Sequence, residues 1–296
     1  QVFLCRLLDG SSFVEKVLKI DASITHQREI HNLAQCRHPN IVRLISASSS
    51  PVNGRVTVRM EHCEGGDLFH RIQQQRMVGC LLPPGAVMSF VTQLLLATHY
   101  LHSRSILHRD IKTSNLFLNR DGTVLKLGDF GCSYKSDISI AEDQRRTLCG
   151  TWHSAAPELL AFDSEQKAQY GKKAETWSIG VVMYELMMLS PPFTCDVNDT
   201  ASFHAMLQNI VAGVYCPIPP THGYPSDMVA LCASMLVVSR SERPSVRTLL
   251  QHPLCQAAGR EWLQSCAALS DEERLQIQEQ LRSVQEPTQT CSFQGP

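Results

Sequence analysis

No two of the twelve cysteines stand closer than eleven residues, so the chain has no C-x-x-C and no zinc-ligand pairing. At 12 of 296 residues, about 4%, cysteine is too sparse for a disulfide scaffold. The cysteines are expected to be small buried hydrophobes in a reducing compartment. No apolar run is long enough to cross a bilayer. The longest, Trp177–Leu189, holds thirteen residues and contains Glu185, where a span needs about 20. The opening Gln1-Val2-Phe3-Leu4-Cys5-Arg6 lacks the charged-then-apolar plan of a secretory leader. Charge is scarce and balanced: 19% charged residues, 27 basic against 28 acidic, net −1. That argues against a disordered acidic chain and against a protein that coats nucleic acid. There is no initiator methionine, so the sequence is expected to begin inside a longer protein.

What is present is an ordinary globular composition, 43% hydrophobic over 296 residues. The length allows one large or two ordinary domains, and a chain of this size buries roughly 75% of its unfolded surface. The first sixty residues alternate as strands do. Val2–Cys5 and Phe13–Ile20, around Asp9-Gly10, predict a β-hairpin. A helix is predicted over Ile24–Cys36, ended by His38-Pro39-Asn40, and strands over Ile41–Ala47 and Val56–Glu61. After Glu64-Gly65-Gly66 the pattern turns helical, near Asp67–Arg76, Gly85–Ser103, Ala174–Leu189, Ala201–Ala212, Ser226–Val237 and Ser245–Gln251. Strands first and helices later indicate an α+β protein in two lobes, with the adjacent glycines suiting a hinge. Ser270-Asp271-Glu272-Glu273 is a capping-box sequence, so a short helix should follow it. The polar end, Gln285–Pro296, is expected to be disordered.

The chemistry is concentrated in His108-Arg109-Asp110-Ile111-Lys112-Thr113-Ser114-Asn115. Asp129-Phe130-Gly131 follows nineteen residues after Asp110, and Ala156-Pro157-Glu158 comes later. One Asp-Phe-Gly alone is weak; the ordered set matches the catalytic loop, metal-binding turn and activation-segment end of protein kinases, which the chain resembles. The resemblance implies ATP and Mg2+ (or Mn2+) as cofactors. Phosphoryl transfer needs oxygen ligands for the metal ions that neutralise the phosphates, and Asp129 and Asn115 fit. A carboxylate must take up or orient the substrate hydroxyl proton, and Asp110 fits. Lys112 can reach the transferring phosphate as a mobile cation.

Upstream, Phe13–Leu18 resembles the strand that carries the ATP-positioning lysine, which would be Lys16, with Lys19 as the alternative. Glu29 resembles its helix partner, nine residues before His38. Val56–Leu68 resembles the interlobe hinge: Met60 as gatekeeper, Glu61 and Cys63 meeting adenine through backbone groups, Asp67 near the ribose, and Phe117 beneath the ring. The implied architecture is the bilobal protein-kinase fold. A small β-rich N-lobe (1–63), truncated before its glycine-rich loop, precedes a larger helical C-lobe (64–255) and a tail (256–296).

Lys112-Thr113-Ser114 and Gly150-Thr151 resemble serine/threonine kinases, and Leu107–Leu118, Lys126–Gly131 and Met60–Leu68 together resemble the NIMA-related (Nek) kinases. That resemblance implies Ser/Thr hydroxyls of proteins as substrates, a cytoplasmic setting with nuclear or cytoskeletal association, and roles in cell division; neither nucleic acid nor membrane is an expected partner. Thr151 would bond the catalytic Asp and Lys, and Arg109 would receive a phosphate on Thr147. Glu158 should pair with Arg243. Four features depart from the pattern: the glycine-rich loop is absent, Glu175 stands where an aspartate usually braces the catalytic loop, Trp152-His153-Ser154-Ala155 replaces the substrate-facing run, and Ser239–Pro244 lacks its Asp-Pro opening. An active kinase is the main reading. The alternative, motivated by Glu175 and the absent glycine loop, is a pseudokinase scaffold. The helix after Ser270 is expected to dock on the lobe or to pair with a partner.

Overall fold

The computed structural model describes residues 1–19, 25–50, 54–135, 152–160, 170–196 and 198–286. Strand β1 (Val2–Arg6) and β2 (Ser12–Lys19) form the expected hairpin, closed where Asp9 Oδ1 accepts from Ser11 N (2.9 Å) and Ser11 Oγ (2.6 Å). With β3 (Leu44–Ser50) and β4 (Arg55–Glu61) they make one antiparallel sheet in the order β1-β2-β4-β3. Its register sets Lys16 opposite Val58 and Met60 between Val14 and Leu44. β3 starts three residues later than the sequence pattern predicts. Ile41 and Val42 send their backbone bonds elsewhere: Ile41 bridges to Leu127, and Val42 N donates to Leu127 O at 2.9 Å. A polar residue forces this detour. Buried Asn40 donates through Nδ2 to Gln93 Oε1 (3.0 Å) and Leu125 O (2.9 Å), tying the turn to the lower lobe before the sheet resumes.

Helix α1 (Thr25–Ala34) packs beside the sheet. The second lobe begins at α2 (Leu68–Val78) and is built on α3 (Pro84–Ser103). Four short strands follow, β5 (Ile106–Leu107), β6 (Leu116–Leu118), β7 (Leu125–Leu127) and β8 (Tyr134–Lys135). They pair as β5-β8 and β6-β7 and hold the loops between them in place. They are too short to show a period of two in the sequence.

Six more helices with described bounds complete the lobe: α4 (Pro157–Leu160), α5 (Lys172–Met188), α6 (Thr200–Ala212), α7 (Ser226–Met235), α8 (Val246–Gln251) and α9 (Pro253–Ser265). α5 is buried on nearly every side because it is the pillar of the core, with Trp177, Met183 and Leu186 at 0% exposure. Helix α9 escaped the sequence reading, although His252 caps it through Nδ1 and Pro253 opens it. Helix α10 (Asp271–Ser283) starts at the capping box, which forms as the sequence indicates. It docks on the lobe, burying Ile277, Leu281 and Val284. The polar end lies, from residue 287 on, outside the described residues.

Cysteine burial is only partly as expected. Cys36, Cys232, Cys255 and Cys266 are buried, but Cys80 and Cys216 are exposed and Cys5, Cys63 and Cys195 are half-buried. Cys132 is disulfide-bonded, which the reducing-compartment reading did not foresee.

Candidate active site

The site lies between β2 and β4 of the sheet and the β5–β8 loops. Lys16 leaves β2 on the face toward the lower lobe, and its Nζ meets Asp129 Oδ1 at 3.0 Å. That contact is the one expected of Lys16; the Lys19 side chain lies outside the described residues. Burial works to raise the Asp129 carboxyl; the Lys16 charge and hydrogen bond outweigh it and hold the group below its ordinary range. Asp129 sits at φ 57°, ψ 78°, a left-handed conformation costing about 1–2 kcal/mol for a residue with a Cβ. Its own carboxylate offsets part of that by accepting from Gly131 N, and Phe130 is locked in the core against the His108 ring at 4.9 Å.

The catalytic loop closes on itself. Asn115 Nδ2 donates to both Asp110 O and Asp110 Oδ2 at 2.8 Å, and Lys112 Nζ pairs with the same Oδ2 at 2.8 Å. Because its nitrogen is committed to Asp110, the Asn115 amide presents Oδ1 as its acceptor. His108 joins this loop to the Asp129 turn: Nε2 donates to Gly128 O (2.9 Å) while Nδ1 accepts from Asp110 N (3.3 Å). Gly128 N donates to Asn115 O at 2.9 Å. No side chain fits at 128, where a Cβ would stand 2.8 Å from the Phe117 ring and 2.9 Å from Val42.

Glu175, read in the sequence as a departure, is the brace. It is fully buried on α5 beneath the loop. Oε1 accepts from His108 N (2.5 Å) and Arg109 N (2.9 Å), and Oε2 accepts from His102 Nε2 (2.5 Å). Burial favours the neutral acid, but His102 and the Arg109 N–H prevail and keep this carboxyl below its usual range. The longer side chain thus reaches the loop and a histidine of α3 together. His102 carried no sequence signal, since its role exists only where α3 and α5 cross.

The hinge strand ends at Glu61, whose carboxylate accepts from Arg43 N (2.7 Å) and pairs with Lys126 Nζ (2.9 Å). Lys126 also donates to Pro39 O at 3.0 Å, a tie the sequence did not single out. Cys63 O accepts from Gly66 N (3.1 Å), and burial pushes the Cys63 thiol up to about 12, so it is no nucleophile. The first glycine serves close approach, since a Cβ on Gly65 would lie 2.2 Å from Asn119 O, while Gly66 supplies a left-handed turn at φ 72°. Asp67 caps α2 through His70 N (2.8 Å), pairs with the His70 ring, and bridges by backbone to Phe117. Arg109 is buried at φ 69° with its guanidinium 5.4 Å from the Tyr170 ring. Arg243, 0% exposed, grips Glu158 with two parallel bonds of 2.9 Å, donates to Val237 O and Lys173 O, and lies over Trp177. The Glu29 side chain, Thr147 and Thr151 lie outside the described residues.

A second buried carboxylate flanks the site. Glu185 accepts from Thr113 Oγ1 at 2.8 Å, and burial pushes it up to about 7 against the opposing pull of that hydrogen bond. A carboxyl whose folded value is raised stabilises the fold fully below its unfolded value, and the contribution is lost as pH rises through about 7. Glu185→Gln should therefore flatten the stability profile between about pH 4.5 and 7 and gain on the order of 2 kcal/mol at pH 8, read by urea unfolding at stepped pH.

A lysine-bearing antiparallel sheet set by one hinge strand over a helical lobe, with an H-R-D loop tied to a D-F-G turn, defines a protein-kinase catalytic core. The family described as the protein kinase domain matches residues 1–255, so this chain belongs to the protein kinase family. Its relatives include serine/threonine-protein kinase Nek5 of Mus musculus, 36% identical over 86% of this chain and 38% of that protein. Nek3 of Mus musculus is 35% identical over 79% of the chain and 42% of its own length. Nek1 of the same organism is 34% identical over 82% and 19% respectively. The chain thus spans less than half the length of each of these relatives.

Proposed function

We propose that this chain transfers the γ-phosphoryl group of ATP to serine and threonine hydroxyls of proteins, with Mg2+. The observation that carries the reading is the convergence of Lys16 and Asp129 from opposite lobes beside the Asp110–Lys112–Asn115 knot. Adenine would lie along Met60–Cys63 above Phe117, with Asp67 near the ribose and Lys16, supported by Glu29, at the phosphates. Asp129, an ionised carboxylate, and Asn115 Oδ1 are hard oxygen donors of the kind Mg2+ takes. Held by them, the ion would neutralise charge on the phosphates. Asp110 orients the attacking hydroxyl and receives its proton, and Lys112 steadies the transferring group. Arg109 is proposed to receive a phosphate on Thr147, with Thr151 bonding the catalytic loop.

In this reading residues 1–63 and 64–255 are the two lobes, and 256–296 is an appended segment. We place the protein inside the cell by its likeness to the Nek relatives. No helix among the described residues is long and apolar enough to cross a membrane. Nothing in the described site favours the scaffold reading: Lys16 pairs with Asp129, and Lys112 and Asn115 both meet Asp110.

The test is incubation of the full-length protein with γ-labelled ATP and mixed protein substrates, followed by phosphoamino-acid analysis. Label on phosphoserine and phosphothreonine is expected. Nucleotide binding without label transfer would establish the scaffold instead.

A further inference from the structure

Helix α10 lies beyond residue 255, outside the stretch that matches the kinase family, yet it reaches the turn that follows α1. Gln280 is the contact point. Its Oε1 lies 3.0 Å from His38 Nε2, and its Nε2 donates to Leu96 O (2.8 Å) and His99 Nδ1 (3.2 Å). The protons can be assigned. His38 Nδ1 accepts from Asn40 N at 3.1 Å, so a neutral His38 carries its proton on Nε2 and donates to Gln280. Burial pushes both His38 and His99 down to about 4, which keeps them neutral. One amide thereby satisfies three partners on two elements, and only one orientation of it does so. One turn earlier, Gln276 Nε2 donates to Arg37 O at 3.0 Å, while Arg37 N donates to Tyr100 Oη of α3 at 2.8 Å. The turn is thus held from α3 and from α10 together.

The helix that makes these bonds is itself fixed at both ends. Arg274 donates to Leu263 O and Cys266 O near its start. Arg247 donates to Ser283 O, and Gln251 to Val284 O, at its finish. From the other side, α1 touches the catalytic turn. Buried Asn32 donates through Nδ2 to Ser133 Oγ at 3.0 Å, four residues past Asp129, and Cys36 Sγ bonds Asn32 O. The path runs Gln280 and Gln276, the Arg37–His38 turn, α1, Asn32, Ser133, Asp129.

We propose that Gln280 and Gln276 of α10 are positioning residues, which set α1 and through it the Asp129 turn, so that the segment after residue 265 is a built-in activating strap. The effect on turnover rests on the kinase reading above; the effect on α1 does not.

The experiment compares the full chain with the Gln276→Ala/Gln280→Ala pair by amide hydrogen exchange and by steady-state kinetics in ATP. Exchange should rise about tenfold in α1 and around residues 130–133 as well as in α10, and kcat should fall roughly five- to tenfold with little change in KM for protein substrate. Ile277→Asp with Leu281→Asp, which removes the apolar anchors, should do the same more strongly. If that variant does not fold, the glutamine pair decides alone, since it leaves the buried anchors in place. A rise in exchange confined to α10 overturns the proposal, as does an unchanged kcat beside an active wild type. If the wild type transfers no phosphate, the kinase reading falls and exchange in α1 alone decides the strap.

Discussion

Asp129→Ala should lower phosphoryl transfer roughly 10^3-fold or more, with the protein still folded. Two consequences of the substitution must be separated. It removes the carboxylate that pairs with Lys16 at 3.0 Å and that would hold the metal, and it places alanine at φ 57°. Asn tolerates left-handed backbone almost as Asp does, so Asp129→Asn removes the charge while leaving the turn nearly unstrained. Comparable loss in both variants assigns the effect to charge. Loss in Ala alone would assign it to the backbone and would undo the proposed role. Asp110→Asn offers the complement. It keeps an oxygen for Asn115 and Lys112 but no base, and should cost about 10^2- to 10^4-fold in kcat. Labelled-ATP kinetics at saturating nucleotide, beside a thermal unfolding curve, measures all three.

Glu175→Gln should have the second largest effect, and on stability as much as on rate. The wild-type carboxylate accepts from two backbone N–H groups and from His102 in a fully buried setting. A glutamine turns one of those acceptors into a donor that faces His102 or the loop. Hydrogen bonds to a charged group are worth about 1.5–3 kcal/mol each, and a buried donor left unmet adds to that. A loss of about 3 kcal/mol is expected, on the order of 5–10 °C in the unfolding midpoint, with kcat falling at least about tenfold because the His108–Asp110 backbone is no longer pinned. Glu175→Asp, the residue usual in the family, is one methylene short for both the loop and His102, and should be intermediate. The pH profile gives a further check. A carboxyl held below its ordinary range stabilises the fold above its unfolded value, and that contribution is lost as pH falls through the folded value. Acid unfolding of the wild type should therefore carry a component that Glu175→Gln lacks. Wild-type activity in Glu175→Gln would show that the brace is dispensable.

Much of this architecture was legible in advance. The hairpin, α1, the long helices and the capping box all rest on local physics: alternation, periodicity, turn chemistry and side-chain caps acting over a few residues. What the pattern missed follows from the same physics. β3 begins late because Asn40, through Gln93 and Leu125, draws Ile41 and Val42 away from the sheet. Strands β5 to β8 are two or three residues long and leave no period to read. The glycine pair at the hinge suggested freedom, and the structure divides the two: Gly65 passes where only a hydrogen fits, while Gly66 takes a left-handed φ of 72° in open space.

The sequence by itself pointed to the proposed chemistry. Phosphoryl transfer needs a base, a cation and metal ligands, and Asp110, Lys112 and Asn115 fall within six residues, a spacing a short loop imposes. Tertiary structure alone decided which distant groups serve them. Lys16 meets Asp129 across 113 positions, Glu175 meets the loop across 66 and 67, and Gln280 meets His38 across 242. Such contacts are made where the β2 strand, α5 and α10 pack against the loops. They follow no period along the chain, because the distance that matters is set by how helices cross and not by how residues succeed one another.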